Sequence, residues 1–224
     1  MIGLDQSVSD AVSEKGVTDM VFFDKGHRGV VYRGKLGSVD VIIKARKEDS
    51  SAMNRMENEA NWLKRLNGFG IGPELLFHGE GYLVYKFIDG VRILDFLSGC
   101  SGPLALSVVC SVLDQMLVLD MIGVNKEEMH HPVKHILVEK DGTARLIDFE
   151  RCRYTQSPKN MSQFCQFITR SRMMDALSSC GVSVDWESML SEIKTYKGLL
   201  SDKGDENGLR RSLGQIKGSL SVVP

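Results

Sequence analysis

Three charged residues sit at the ends or edges of apolar runs. Lys44 ends the apolar run Val41-Ile42-Ile43, Glu59 borders the apolar stripe of a helical segment, and Asp148 comes directly after Ala144-Arg145-Leu146-Ile147. A strand-end lysine is ordinarily a solvated surface charge, and a helical glutamate ordinarily faces water. Beside a phosphate, however, a lysine acts as a point cation, and a glutamate paired with it fixes its aim. A carboxylate closing an apolar strand can offer oxygen to a divalent ion. A turn in Lys25–Gly34, "KGHRGVVYRG", comes one hairpin before Lys44. Its Gly26 and Gly29 would let the backbone approach a phosphate closely. It lacks the glycine-lysine-serine/threonine ending and subsequent helix of a P-loop.

A second set lies in Gly123–Val138, "GVNKEEMHHPVKHILV", which holds three of the five histidines. Zinc is one reading, because His131 and His135 are four apart. Pro132 and the strand-like Ile136-Leu137-Val138 argue against the helix this needs, and no cysteine or H-E-x-x-H accompanies the pair. Acid–base work is the other reading. Counting back along both strands of the hairpin that turns near Lys140-Asp141 brings His135 and Asp148 to its same open end. An imidazole and a carboxylate there could share a divalent ion.

The elements that must position these groups can be read from periodicity. "DMVFFDKG", "GVVYRGK" and "SVDVIIKA" are strand-like, with alternation setting Lys44 and Ile42 on one face and Val41 and Ile43 on the other. A helix is expected from about Ser51 to Leu66, capped by Ser50 or Ser51, with Met53, Met56, Ala60 and Leu63 as its stripe. Glycines and Pro73 end it, and "ELLFHG" and "YLVYKFI" make two further strands. Beyond Asp89-Gly90 helices dominate, one covering roughly Leu104–Met121. A single hairpin, "HILV" to "ARLIDFE", interrupts them. Everything after Pro158 reads as helical. Met161, Phe164, Phe167 and Ile168 form one packing face there, and Trp186, Met189, Leu190 and Ile193 another. Pro158-Lys159-Asn160 could touch a substrate or brace the polar loop. The fold class expected is α+β, with units at 1–89 and 90–224.

Composition narrows the classes. With 28 basic and 29 acidic residues among 224, nothing demands nucleic acid or an anionic membrane. The apolar segment from Pro103 to Val124 is broken by Asp114, Gln115 and Asp120, which favours a buried helix over a membrane span. No signal peptide is visible. Five cysteines without a C-x-x-C pair point to reduced thiols in a cytoplasmic setting.

The order G-x-x-G-x-V-Y, V-I-I-K, a helical glutamate, L-V-Y-K-F-I-D-G, a helix, a polar loop, H-I-L-V and I-D-F resembles the protein-kinase-like two-lobe fold over about Phe22–Arg151. Glu57–Gly90 looks especially like the small RIO-type and KEOPS-complex kinases and the compact predicted kinases of archaea. The resemblance implies a β-rich N-lobe with one helix and a short, mostly helical C-lobe. It also implies ATP and Mg2+ as cofactors. Gly26, Gly29 and Val31 would form the glycine-rich loop and the roof over adenine. Lys44 would contact the α/β-phosphates and Glu59 would hold it. Tyr85 would back the adenine pocket, the Lys86 and Ile88 backbone would bond the base, and Leu137 would form the floor. Asp148 would ligate the metal.

The polar loop departs from the family pattern. His135 stands where the kinases carry a metal-binding asparagine. The catalytic aspartate position falls on His130 by direct count, or on Glu128 if the loop is two residues longer. A carboxylate fits the role better, since it can accept the hydrogen bond of an attacking hydroxyl or water. His135 could ligate the second metal or donate to phosphate, and Lys126 or Lys134 could add charge near the γ-phosphate. The expected activity is phosphoryl transfer from ATP to a serine or threonine of a protein partner, or ATP hydrolysis. The alternative is a pseudokinase that binds nucleotide or a protein. A small-molecule acceptor ranks below both, because the helices after Pro158 carry no concentrated acidic run.

Overall fold

A computed structural model describes residues 4–26, 29–46, 53–202 and 205–223 of the chain. It divides into two compact units, the first running to Ile88 and including Asp148–Arg151, the second comprising Asp89–Ile147 and the chain from Cys152 onward. The protein is α+β, with a β-rich sheet first and helices later.

The first unit begins with a helix, α1 (Gln6–Glu14), capped by the Asp5 carboxylate, which accepts from the Ser7 N–H. Sequence reading leaves this stretch unassigned, because its apolar positions are few. Then come β1 (Val17–Lys25), β2 (Gly29–Leu36), β3 (Val39–Arg46), α2 (Met53–Leu66), β4 (Leu75–Gly79) and β5 (Tyr82–Lys86). The five strands form an antiparallel sheet in the order β1-β2-β3-β5-β4. Side chains alternate across β3. Val41, Ile43 and Ala45 join Val8 and Val12 of α1 in one core cluster. Ile42 and Lys44 take the opposite face, and α2 supplies buried Met56, Ala60, Leu63 and Leu66. The expected caps Ser50 and Ser51 lie outside the described residues, as does the Met53 side chain.

Asn67 ties the end of α2 to β4. Its amide donates to the carbonyls of Ile71 (3.2 Å) and Pro73 (2.9 Å), and its Oδ1 accepts from the Leu75 N–H (2.8 Å). Gly72, within this link, has φ +83°, and a Cβ there would lie 2.8 Å from Leu63 Cδ2 and 3.0 Å from the ring of Phe149. Only glycine takes that backbone while letting Phe149 pack so closely.

The second unit contains β6 (Gly90–Arg92), α3 (Ile93–Leu97), α4 (Gly102–Met121), β7 (Val124–Asn125), β8 (Ile136–Glu139), β9 (Ala144–Leu146) and β10 (Arg153–Tyr154). It continues with α5 (Asn160–Ile168), α6 (Ser171–Ser179), β11 (Val182–Val184), α7 (Trp186–Ser201), α8 (Glu206–Gly218) and β12 (Leu220–Val222). β8 and β9 form the expected hairpin, and β6 adds to it through Val91 opposite Val138. β7 pairs with β10 through Asn125 opposite Arg153.

α4 is long and apolar enough to cross a bilayer by length and composition. Its Ala105, Val108, Val109, Val112, Leu113 and Met116 are fully buried within this unit instead. The segment after Pro158 is not wholly helical as expected. β11 and β12 pair antiparallel, Val182 opposite Val222. Each is only three residues long, too short for period-two alternation to register. Trp186 is also not a packing residue, being 48% exposed at the first position of α7.

Gly72→Ala is expected to destabilise the protein by roughly 2–4 kcal/mol, from left-handed backbone strain plus overpacking. Gly68→Ala, where a Cβ meets nothing within 4 Å, serves as the control. Equal urea midpoints for the two variants would show that the Gly72 contact is not a constraint.

Candidate functional site

In the first unit, β3, α2 and the Asp148–Arg151 segment bring three charges together. Lys44 Nζ lies 2.6 Å from Glu59 Oε2 and 3.6 Å from Asp148 Oδ1. The Lys44 and Glu59 side chains are 16% and 3% exposed, whereas Asp148 is 39% exposed. Burial alone would pull the Lys44 ammonium down. Glu59 and then Asp148 more than offset it, holding the lysine well above its ordinary value and therefore charged. Burial raises the Glu59 carboxyl, with Lys44 as the main opposing influence. The cluster is thus a charged lysine, a buried glutamate paired with it, and a carboxylate that solvent can reach.

Asp148 has φ +65°, an unusual conformation for a residue with a side chain. The two residues after it are firmly packed. Phe149 is buried against Gly72, the Glu150 carbonyl accepts from Asn58 Nδ2 at 2.9 Å, and Arg55 lies 3.6 Å from the Glu150 carboxylate. So α2 both carries Glu59 and grips the segment that presents Asp148.

The other expected residues of this unit fall around the same sheet. Gly26 and Gly29 flank two residues outside the described set. A Cβ at Gly29 would sit 2.8 Å from the Ala45 carbonyl, so the strand backbones approach closely there. Half-buried Val31 is paired opposite Lys44, and half-buried Tyr85 opposite Ile42. Burial pushes the Tyr85 phenol above its usual value. The Lys86 N–H donates to the Glu74 carbonyl, Phe87 donates to Asp40, and Ile88 is buried. Leu137 belongs to the second unit, half-buried in β8 opposite Arg92 and Arg145.

In the second unit the polar loop leaves β7 and returns through a short 3-10 turn, Pro132–Lys134, into β8. Glu128 has φ +70°. Its Oε2 lies 2.8 Å from His135 Nε2. Its carbonyl accepts from the His131 N–H at 2.9 Å. A cavity of about 390 Å³ adjoins it, lined by Glu127, Glu128, His130, Lys159 and Gln163 among others. His130 and Lys134 are exposed, while Lys126 is 1% exposed. His131 turns away, edge-on to Phe167 and 3.5 Å from Arg170.

Among the described residues no group of three or more histidine, cysteine, aspartate or glutamate side chains is arranged to hold a metal. Asp148, a hard oxygen donor, suits Mg2+. Imidazole is a poor Mg2+ ligand, and His135 Nε2 faces Glu128.

One group of site-supporting residues is almost invisible in the sequence. Asp120, 3% exposed near the end of α4, accepts from the Asn160 N–H and Nδ2 on one oxygen and from the Met161 N–H and the Tyr196 hydroxyl on the other. Asn160 in turn accepts from the Lys126 N–H (2.8 Å) and donates to the Val124 carbonyl (2.6 Å). Asn125 accepts from the Lys159 N–H at 3.0 Å. Asn160 therefore braces the loop's entry strand, one of the two roles expected for Pro158-Lys159-Asn160. A carboxylate inside an apolar helical run was the available signal for Asp120. It registers in the sequence only as a break in hydrophobicity.

No protein-family model matches the chain, and no curated protein matches it.

Burial pushes the Asp120 carboxyl from 3.8 to about 6, against the donors of Asn160, Met161 and Tyr196. Between those values the folded chain keeps the proton and the unfolded chain releases it. Asp120 thus contributes stability that is fully present below 3.8 and lost as pH rises through about 6. Asp120→Asn should be less stable than wild type at pH 5. The gap between the two should narrow by roughly 1–1.5 kcal/mol as pH rises from 5 to 7. Urea titrations across that range measure it, and a gap that widens with pH would contradict the assignment.

Proposed function

We propose that the protein is an ATP- and Mg2+-dependent phosphotransferase with a protein-kinase-like two-lobe arrangement. It would be of the atypical kind resembling small RIO-type and KEOPS-complex kinases. The observation that carries this reading is the Lys44–Glu59–Asp148 cluster on an antiparallel sheet, with a glycine hairpin one strand away. A lysine kept charged by a buried glutamate suits the α/β-phosphates, and the accessible Asp148 would hold Mg2+. Mg2+ supplies charge neutralisation when bound. Tyr85 and the Lys86 and Ile88 backbone would take the adenine side, and Val31 and Leu137 would cover the base.

Glu128 is the carboxylate with the role of orienting the acceptor. It accepts the hydrogen bond of a serine or threonine hydroxyl as that oxygen attacks the γ-phosphorus. The oxygen–phosphorus bond to ADP breaks, and the acceptor's proton is released. With water as acceptor the same arrangement hydrolyses ATP. Most of the rate gain comes from positioning and fixed charge. A protein is the acceptor preferred, in a cytoplasmic setting that suits five free cysteines.

A second reading, a pseudokinase that binds nucleotide or a protein partner, is favoured by one observation. Glu128 and His135 stand at the family's aspartate and asparagine positions and engage each other.

Thermal-shift titration with ATP, with and without Mg2+, should raise the melting temperature most when both are present. Lys44→Met should abolish most of the shift. In γ-phosphate transfer and release assays, wild type should turn over. Asp148→Asn and Glu128→Gln should each lose at least about a hundredfold. Binding without turnover selects the nucleotide-binding pseudokinase, and no shift with any nucleotide removes the phosphotransferase and leaves only a protein-binding module. Full activity in Glu128→Gln would move the acceptor-orienting role to His130.

A further inference from the structure

We propose that His135 is a positioning residue that fixes the carboxylate of Glu128, and that its Nε2 is committed to that carboxylate and not to a metal. The proposal rests on the phosphotransferase reading for its functional meaning, but the pairing itself stands on geometry. Glu128 needs help to be a useful acid–base group. Its side chain is flexible and 42% exposed, and its backbone is in the left-handed region. An unrestrained glutamate there would sample many rotamers, most of them unproductive.

His135 supplies the restraint. Its ring is 14% exposed. Its backbone is held on both sides: the N–H donates to the Pro132 carbonyl (2.8 Å), and the carbonyl accepts from the Ile147 N–H (2.9 Å). A ring fixed in this way places Nε2 at a defined point, 2.8 Å from Glu128 Oε2. The carboxylate can only accept, so Nε2 carries the proton and donates. A nitrogen that carries a proton has no lone pair in the ring plane to offer a metal. Oε2 is thereby fixed, and the orientation of the whole carboxylate with it. The cavity beside Glu128 contains His130, Lys159 and Gln163 but is not lined by His135, as expected for a residue acting through its neighbour.

Two measurements test this. In long-range 1H–15N spectra of the imidazoles, wild type should show His135 protonated on Nε2. Glu128→Ala should shift that signal and leave His78 unchanged. A His135 ring protonated on Nδ1 alone, or one indifferent to Glu128→Ala, would overturn the pairing without any assay of activity. In turnover assays His135→Ala should lower kcat by about tenfold or more. KM for ATP and the Mg2+ concentration for half-maximal rate should stay within about twofold of wild type. His135→Gln, which keeps an N–H donor, should recover part of kcat. Unfolding curves of each variant check that it folds. A raised Mg2+ requirement in His135→Ala, with kcat restored by excess Mg2+, would make His135 a ligand and defeat the proposal. Absence of turnover in wild type would defeat the phosphotransferase reading, while the spectra would still decide the pairing.

Discussion

A lysine ammonium 2.6 Å from a glutamate only 3% exposed is the constraint on which the first unit turns. Neither charge is tolerable there alone. Removing both from water is costly, and breaking the pair would strand a charge in an apolar setting. The pair survives because β3 and α2 are each fixed by other contacts. Val41, Ile43 and Ala45 hold the strand to one core, and Met56, Ala60, Leu63 and Leu66 hold the helix. Asp148 then adds negative charge on the more accessible side of Lys44. The result is a cation that stays charged and fixed in place, next to a carboxylate that water can reach.

The chain goes to some lengths to bring Asp148 there. It leaves the second unit at Ile147, enters the first for four residues and departs again at Cys152. Phe149 is the anchor of that excursion, seated where Gly72 has no side chain. Asn58 and Arg55, both on α2, hold Glu150. The left-handed backbone at Asp148 is over-determined by these contacts. That is the usual condition for such a backbone conformation to persist.

The second unit solves a related problem with hydrogen bonds. A two-residue strand such as β7 has little stability of its own. Asn160 clasps it from the start of α5, and Asp120 and Tyr196 fix Asn160 in turn. Each oxygen of the Asp120 carboxylate accepts two hydrogen bonds, which is what permits a carboxyl group at 3% exposure. The polar loop beyond β7 can then hold Glu128 in a strained conformation without the strand fraying beneath it.

Much of this was legible in the chain. Strand alternation set Lys44 apart from Val41 and Ile43, helical spacing put Glu59 beside the stripe of Met56 and Leu63, and the turn near Asp141 fixed the β8–β9 hairpin. Those signals are local, with periods of two or 3.6 residues, and they survive in any window. Three things had no local signal. α1 had too few apolar residues to declare itself. β11 and β12 stabilise one another only because Val182 meets Val222 from far along the chain. Asp120 looked like an interruption until Asn160, forty residues later, supplied its partner. The sequence alone determined which residues carry charge and which face of each strand or helix they occupy. Tertiary structure alone decided which charges meet. Lys44 with Asp148 and Asp120 with Asn160 pair across chain distances at which periodicity carries no information, and Glu128 meets His135 within an irregular loop that has no period. Burial, which makes each pairing consequential, exists only once the chain has folded.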